Sequence, residues 1–364
     1  MKKCGIITYH FANNYGAILQ CFALKSALEC LGYECDILNY ISDKQLDNNS
    51  LYRKKQGIRG IVKNICLLPF FRGRSDREHR FEKFRFKYLK CNNRLNNINM
   101  LQSFINSQEY DVIISGSDQV WNPNVYDFDK AFFFPFKANA KKVGYGISLG
   151  NASETQLFEY KTWINDFDVI TVREKSSIKR IKEVSNRNNI IEVIDPVFLI
   201  NPDKWKDLTK PVITKPYLLC YFVRTEDIGL KIKKAKKIAT LRGLDFKVVN
   251  LRITKYNLFR NIIYNAGPLE FLNLLRNAEY VYTDSFHGTA FSLIFEKNFT
   301  TVDSNQEKID NRKRNLLSKF DLDYRVQKAD ESDKLLSDID YKITTESLSK
   351  LRELSLKELN TMVC

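Results

Sequence analysis

The chain reads as an α/β protein of two Rossmann-like, doubly wound domains facing a cleft. Short apolar runs alternate with stretches of helical periodicity along most of its length. Several of those runs end in a polar loop that opens directly into a helix, the order a parallel sheet requires. The length of 364 residues suits two domains, and 44% hydrophobic residues, with 25 Phe and 18 Tyr, allow each a substantial core.

Residues 4–9 form the first expected strand. Asn13-Asn14-Tyr15-Gly16 links it to a helix over 17–31, where Ile18, Cys21, Phe22, Leu24, Ala27, Leu28 and Leu31 recur at helical spacing. Gly32 supplies the stop, and 33–40 give the second strand. Residues 110–114 read as a buried strand running into Ser115-Gly116-Ser117-Asp118-Gln119-Val120-Trp121-Asn122-Pro123. Strands follow at 142–147, 167–171 and 190–194, with a helix opening at Arg173-Glu174-Lys175-Ser176. Prolines at 196, 202, 211 and 216 mark a junction. A second series then runs strand 217–223, helix 227–241, strand 246–250, helix 268–278 and the strand Tyr280-Val281-Tyr282. A helix from Thr289, a short strand at 299–302, a helix at 308–320 and a terminal amphipathic helix at 345–361 complete it. The expected division is 1–205, with a basic helical insertion near 48–108, and 206–364.

Lys plus Arg number 58 against 43 Asp plus Glu, a formal charge of +15 that favours anionic partners. Residues 53–90 concentrate it: Arg53, Lys54, Lys55, Arg59, Lys63, Arg72, Arg74, Arg77, Arg80, Lys83, Arg85, Lys87 and Lys90, interleaved with Phe81, Phe84, Phe86 and Leu89. Either a solvated helix with an aromatic core face or a surface for anionic lipid or phosphate fits this pattern. No recognised nucleic-acid motif is present. The eight cysteines form no Cys-x-x-Cys pair, and with three scattered histidines they give no zinc pattern and read as reduced core residues. No apolar signal region opens the chain, and no run approaches the ~18–20 apolar residues that span a bilayer, so a cytoplasmic protein is expected, with peripheral contact at the inner face of the membrane.

Residues 280–291 carry the strongest functional signal. An apolar strand ends in Thr283-Asp284-Ser285, and His287, one of three histidines, stands at the elbow before the helix. Ligands in open α/β sheets sit at such carboxyl ends, beside helix N-termini that favour anions. An imidazole there can transfer protons near neutral pH. The competing role is structural, with Asp284 or Ser285 as a cap and His287 in packing.

Five segments together resemble the polysaccharide pyruvyl transferase family, in its bacterial capsule and exopolysaccharide branch. They are Ile6-Ile7-Thr8-Tyr9-His10 with Asn13 to Gln20; Gly116 to Asn122; Val172-Arg173-Glu174; Asp195-Pro196; and Thr283 to Thr289. They run in the family's order. The resemblance implies a glycosyltransferase-B-like fold and transfer of the pyruvyl group of phosphoenolpyruvate to a surface glycan or its lipid-linked precursor. A cyclic ketal forms and phosphate leaves. Some ketal-forming members carry a donor-binding arginine two residues before the motif histidine, where this chain has Ser285. Another cation must serve, or the donor is bound differently.

Phosphoenolpyruvate carries a carboxylate and a phosphate, groups suited to arginine forks and helix N-termini. The donor candidates are Arg173, Arg312 and Arg314, with Ser285, Gly288 and Thr289 at the helix start. His287 is the expected general acid or base and Asp118 a base or cation stabiliser, with helix capping as the alternative for Asp118. Asn13, Asn14 and Tyr15 suit acceptor hydroxyls or a turn. Trp121 suits a sugar face or the core, and His10 is a second-choice catalytic residue. No carboxylate cluster suggests a metal, and no cofactor is expected beyond the donor substrate. A glycosyltransferase using a nucleotide sugar is the alternative on the same fold, and a membrane-docked scaffold the non-enzymatic one.

Overall fold

The computed structural model describes residues 2–49, 67–91, 93–212, 215–250, 261–303, 311–328 and 336–364. Arg53, Lys54, Lys55, Arg59 and Lys63 lie outside the described residues, as do 308–310 of the helix expected over 308–320. The chain divides into two units, 1–66 with 82–200 and 350–364, and 67–81 with 201–349.

The first unit contains a parallel sheet of six strands among the described residues: β1 (Lys3–Ile7), β2 (Glu34–Ile37), β3 (Val112–Asp118), β4 (Lys141–Ile147), β5 (Val169–Val172) and β6 (Ile190–Glu192), in the order β2-β1-β3-β4-β5-β6. Cys4 pairs with Cys35 on one side and Val112 on the other, so β1 is central. Helix α1 (Tyr15–Cys30) makes the crossover from β1 to β2 and is buried from Tyr15 to Leu28. That burial explains the absence of a polar face on a helix of surface length. Aromatic residues Phe132, Phe133, Phe134 and Phe167 fill the core beside β3 and β5.

The second unit repeats the plan with β7 (Tyr217–Phe222), β8 (Asp245–Asn250), β9 (Ile262–Ile263), β10 (Tyr280–Thr283), β11 (Asn298–Asp303) and β12 (Val326–Lys328), ordered β12-β11-β10-β7-β8-β9. Its helices include α2 (Ile228–Leu241), α3 (Pro268–Arg276), α4 (Phe286–Ile294) and α5 (Asn311–Leu317). The terminal helix runs Tyr341–Val363, longer at both ends than its sequence pattern implied.

Both sheets change direction once. In the first, the chain steps from β1 to β2 on one side and resumes with β3 on the other. In the second, the corresponding pair is β7 and β10. Loops at the carboxyl ends of such pairs diverge and leave a crevice, which is where α/β proteins bind ligands.

Candidate active site

In the first unit the carboxyl ends of β1 and β3 are tied by Gln20. Its Nε2 donates to Thr8 Oγ1 at 2.9 Å, and its Oε1 accepts from the Ser117 amide at 3.3 Å. Thr8 Oγ1 in turn donates to the Ser117 carbonyl at 3.0 Å. One amide side chain thus fixes the loop after β1 against the end of β3.

Asp118 ends β3 with φ at +79°, a conformation that strains a residue bearing a Cβ. Its Oδ1 accepts from the Gln119 amide at 2.9 Å and stands 3.6 Å from Arg173 Nη2. Arg173 also meets Glu174 at 3.2 Å and hydrogen-bonds Asp195 through Nη1. Burial works against the Arg173 charge, but Asp195, Glu174 and Asp118 outweigh it and hold the guanidinium above its ordinary pKa. One cation is therefore shared by three carboxylates. The Asp118 side chain is 17% exposed, against 5% for Glu174 and 0% for Asp195, so Asp118 is the member that faces outward.

The other candidates of this unit separate. Asn14 is the N-cap of α1, its Oδ1 accepting from the Gly16 and Ala17 amides at 2.9 and 3.3 Å. Tyr15 is buried. Asn13 is partly buried and takes two hydrogen bonds from Arg85. Trp121 is not offered to a sugar: its ring is fully buried, stacked on Phe133 at 4.9 Å and edge-on to Phe167 at 5.0 Å. His10 is also withdrawn from catalysis. It is buried, with Nδ1 3.0 Å from the Thr8 carbonyl and Nε2 2.9 Å from the Asn39 side chain. Burial lowers its pKa, which favours a neutral ring donating from Nδ1 to Thr8.

In the second unit the elbow after β10 stands at the carboxyl end of the β7/β10 pair. Ser285 caps α4, its Oγ accepting from the Gly288 amide at 3.2 Å. Thr289 Oγ1 donates to the Ser285 carbonyl at 3.0 Å and meets Thr301 Oγ1 at 2.7 Å. These hydroxyls thus shape the start of the helix. Gly288 is required by space: a Cβ there would fall 2.4 Å from Thr283 Oγ1, which is held by its own bond to the Tyr221 carbonyl at 2.6 Å. His287 follows at the second helical position, 8% exposed and edge-on to Phe286 at 5.2 Å.

Asp284 is buried beneath this elbow. Its Oδ1 accepts from the Val223 amide at 2.8 Å and its Oδ2 pairs with Lys231 Nζ at 2.7 Å. Lys313 Nζ reaches the Asp284 carbonyl at 3.2 Å, the Val302 carbonyl at 2.9 Å and Asp303 Oδ1 at 2.7 Å. Arg314 Nη2 stands 3.6 Å from Asp303 Oδ2, and Arg312 is partly buried on the same helix. Three cations, Lys231, Lys313 and Arg314, are therefore grouped with two carboxylates. The charge excess is the reverse of that around Arg173.

Lys231, Lys313, Gln20 and Arg85 were not singled out by spacing as site residues. For Lys231 a signal existed. Ile228, Lys231, Ile232, Ala235, Ile238 and Ala239 are the buried positions of α2, so the lysine sits on the apolar stripe where a solvated one would not.

Two parallel doubly wound sheets of this order define a glycosyltransferase-B-like fold, and solved structures agree. A Listeria monocytogenes protein assigned as a UDP-N-acetylglucosamine 2-epimerase is similar over 99% of this chain and 91% of its own, at 11% identity and a TM-score of 0.53. The UDP-GlcNAc 2-epimerase of Methanocaldococcus jannaschii matches over 98% and 93%, at 14% identity and 0.51. Arabidopsis thaliana UGT89C1 complexed with UDP matches over 100% of both chains, at 12% and 0.50. These identities carry the fold alone. Comparison with curated proteins gives no match. Residues 14–306 match the polysaccharide pyruvyl transferase family, and the chain belongs to it. It is accordingly a transferase acting in polysaccharide biosynthesis. Among the described residues no helix is long and apolar enough to cross a membrane.

Proposed function

We propose that this transferase moves the pyruvyl group of phosphoenolpyruvate onto a sugar of a surface polysaccharide or its lipid-linked precursor, closing a cyclic ketal and releasing phosphate. The observation that carries the reading, given the family, is the opposite charge balance of the two crevices. The cation-rich edge of the second unit, with Lys231 and Lys313 bonded to Asp284 before α4, Arg314 beside Asp303 and Arg312 on the same helix as Arg314, suits a donor with a carboxylate and a phosphate. The carboxylate-rich edge of the first unit, with Asn13 and Asp118, suits neutral hydroxyls that must be deprotonated.

In the reaction C3 of the donor gains a proton and C2 takes on cationic character. A first sugar hydroxyl bonds to C2 as its proton leaves. A second hydroxyl then replaces phosphate at C2, its proton leaving with the phosphate. His287 supplies or removes a proton at the donor, and Asp118 takes a hydroxyl proton. Arg173 holds Asp118 at the end of β3 through its longest carboxylate contact, 3.6 Å. No cofactor beyond the donor is proposed.

Donor choice tests this reading. Phosphoenolpyruvate should raise the unfolding temperature of the purified protein, by the equivalent of about 2.7 kcal/mol at a hundredfold excess over Kd. Phosphate release and a mass gain on native lipid-linked glycan should follow. A shift with nucleotide sugars and none with phosphoenolpyruvate would favour glycosyl transfer instead.

The proposal extends to peripheral contact with an anionic membrane. Phe86 is 86% exposed, with Lys83, Lys87 and Lys90 also on the exposed side of the segment. Phosphatidylglycerol vesicles should sediment the protein, and Phe86→Ser with the three lysines changed to glutamine should stop it. Equal sedimentation of that variant would sink the contact.

A further inference from the structure

The π-helical turn Arg85–Leu89 places Arg85 against the loop that precedes α1. Arg85 Nη1 donates to the Phe11 carbonyl at 3.1 Å and to Asn13 Oδ1 at 3.3 Å, and Nη2 donates to the same oxygen at 3.4 Å. A guanidinium has donors and no acceptor. The Asn13 amide must therefore turn its oxygen toward Arg85, which resolves the usual ambiguity between the two ends of an asparagine side chain. Its nitrogen is left facing the other way, and among the described residues those N–H groups have no hydrogen-bond partner. Of its neighbours, Asn14 commits its oxygen to the start of α1 and not to Arg85, and Tyr15 is buried. The basic block thus places one cation for a purpose its charge alone does not reveal.

We propose that Arg85 is a positioning residue that makes Asn13 a hydrogen-bond donor to an oxygen of the acceptor carbohydrate. The ligand identity rests on the transfer reading above. An oxygen that accepts from Asn13 is a weaker nucleophile than one that donates its proton to the base, because one of its two lone pairs is engaged. Asn13 therefore holds a non-attacking oxygen, a ring, glycosidic or neighbouring hydroxyl oxygen, and selects the register of the sugar that brings its reacting hydroxyls to the base. Widened π turns recur at functional sites, and here the turn directs Arg85 to the loop and Phe86 to solvent.

Asn13→Asp tests this with little change of shape. It keeps an oxygen toward Arg85, converts the contact to an ion pair and removes the donor nitrogen. The variant and Arg85→Lys are assayed for phosphate release with phosphoenolpyruvate, using lipid-linked glycan extracted from cells that lack the gene as acceptor. Asn13→Asp should unfold at or above the wild-type temperature. It should need about tenfold more glycan for half-maximal rate, the loss of one hydrogen bond, with half-saturating phosphoenolpyruvate unchanged. Arg85→Lys, whose ammonium cannot fork, should show the same split to a smaller degree. Unchanged glycan dependence in Asn13→Asp, or a fall in its unfolding temperature, overturns the proposal. No phosphate release by the wild-type protein overturns the transfer reading instead, and this proposal falls with it.

Discussion

Replacing His287 with glutamine should lower turnover by about a hundred- to ten-thousand-fold while the unfolding temperature stays within a few degrees of wild type. The reasoning is positional. His287 stands at the second position of α4, where the chain leaves the β7/β10 switch, and the fold at that point is held by other residues. Ser285 caps the helix, Gly288 permits close approach to Thr283, and Asp284 anchors the elbow from below. The imidazole is therefore not needed to build the turn. Glutamine fills most of its volume and retains a polar end, so packing with Phe286 survives while the proton-transferring group is lost. Rate and stability must be measured on the same preparation. A parallel fall in both would give His287 a packing role, and retention of activity within tenfold would remove it from the chemistry.

The elbow was legible because its signals are local. An apolar run, a capping serine, a glycine and a lone histidine lie within twelve residues, and each has a backbone consequence that follows from its type. Helix α1 was legible for the same reason, with apolar spacing throughout and an asparagine at its start. Strands β9 and β12 were missed because two and three residues are too few to show a period. The surroundings of Arg173 were hidden for a different reason. Asp118 and Asp195 come from separate strand ends, and only the parallel order β3-β4-β5-β6 brings them to one guanidinium. Trp121 shows the limit of residue type alone. An indole suits a sugar or a core equally, and Phe133 and Phe167 decide the matter from positions no local pattern connects. Sequence thus identified the loops at the carboxyl ends of the strands better than the contacts each residue makes within them.

Lys231→Met should be the most destabilising of the single changes considered, by about 3–5 kcal/mol, because it strands a buried carboxylate. The Lys231 and Asp284 side chains are 0% and 2% exposed, so water cannot replace the lost partner. Asp284 would keep the Val223 amide as a donor, which limits the loss but leaves the charge uncompensated. Asp284→Asn alone should also destabilise, by leaving the ammonium buried with its counter-charge gone. The double variant Lys231→Met with Asp284→Asn should recover much of the loss, since a buried ion pair is often no better than a well-packed neutral pair. The same double variant separates stability from function. If the pair exists only to hold the elbow, the recovered protein should keep donor binding. If Lys231 contributes to the cationic edge that receives the donor, the recovered fold should still lose the unfolding shift with phosphoenolpyruvate. Chemical denaturation of the four proteins gives the coupling energy, and a sum of single effects equal to the double effect would show that the two groups do not interact.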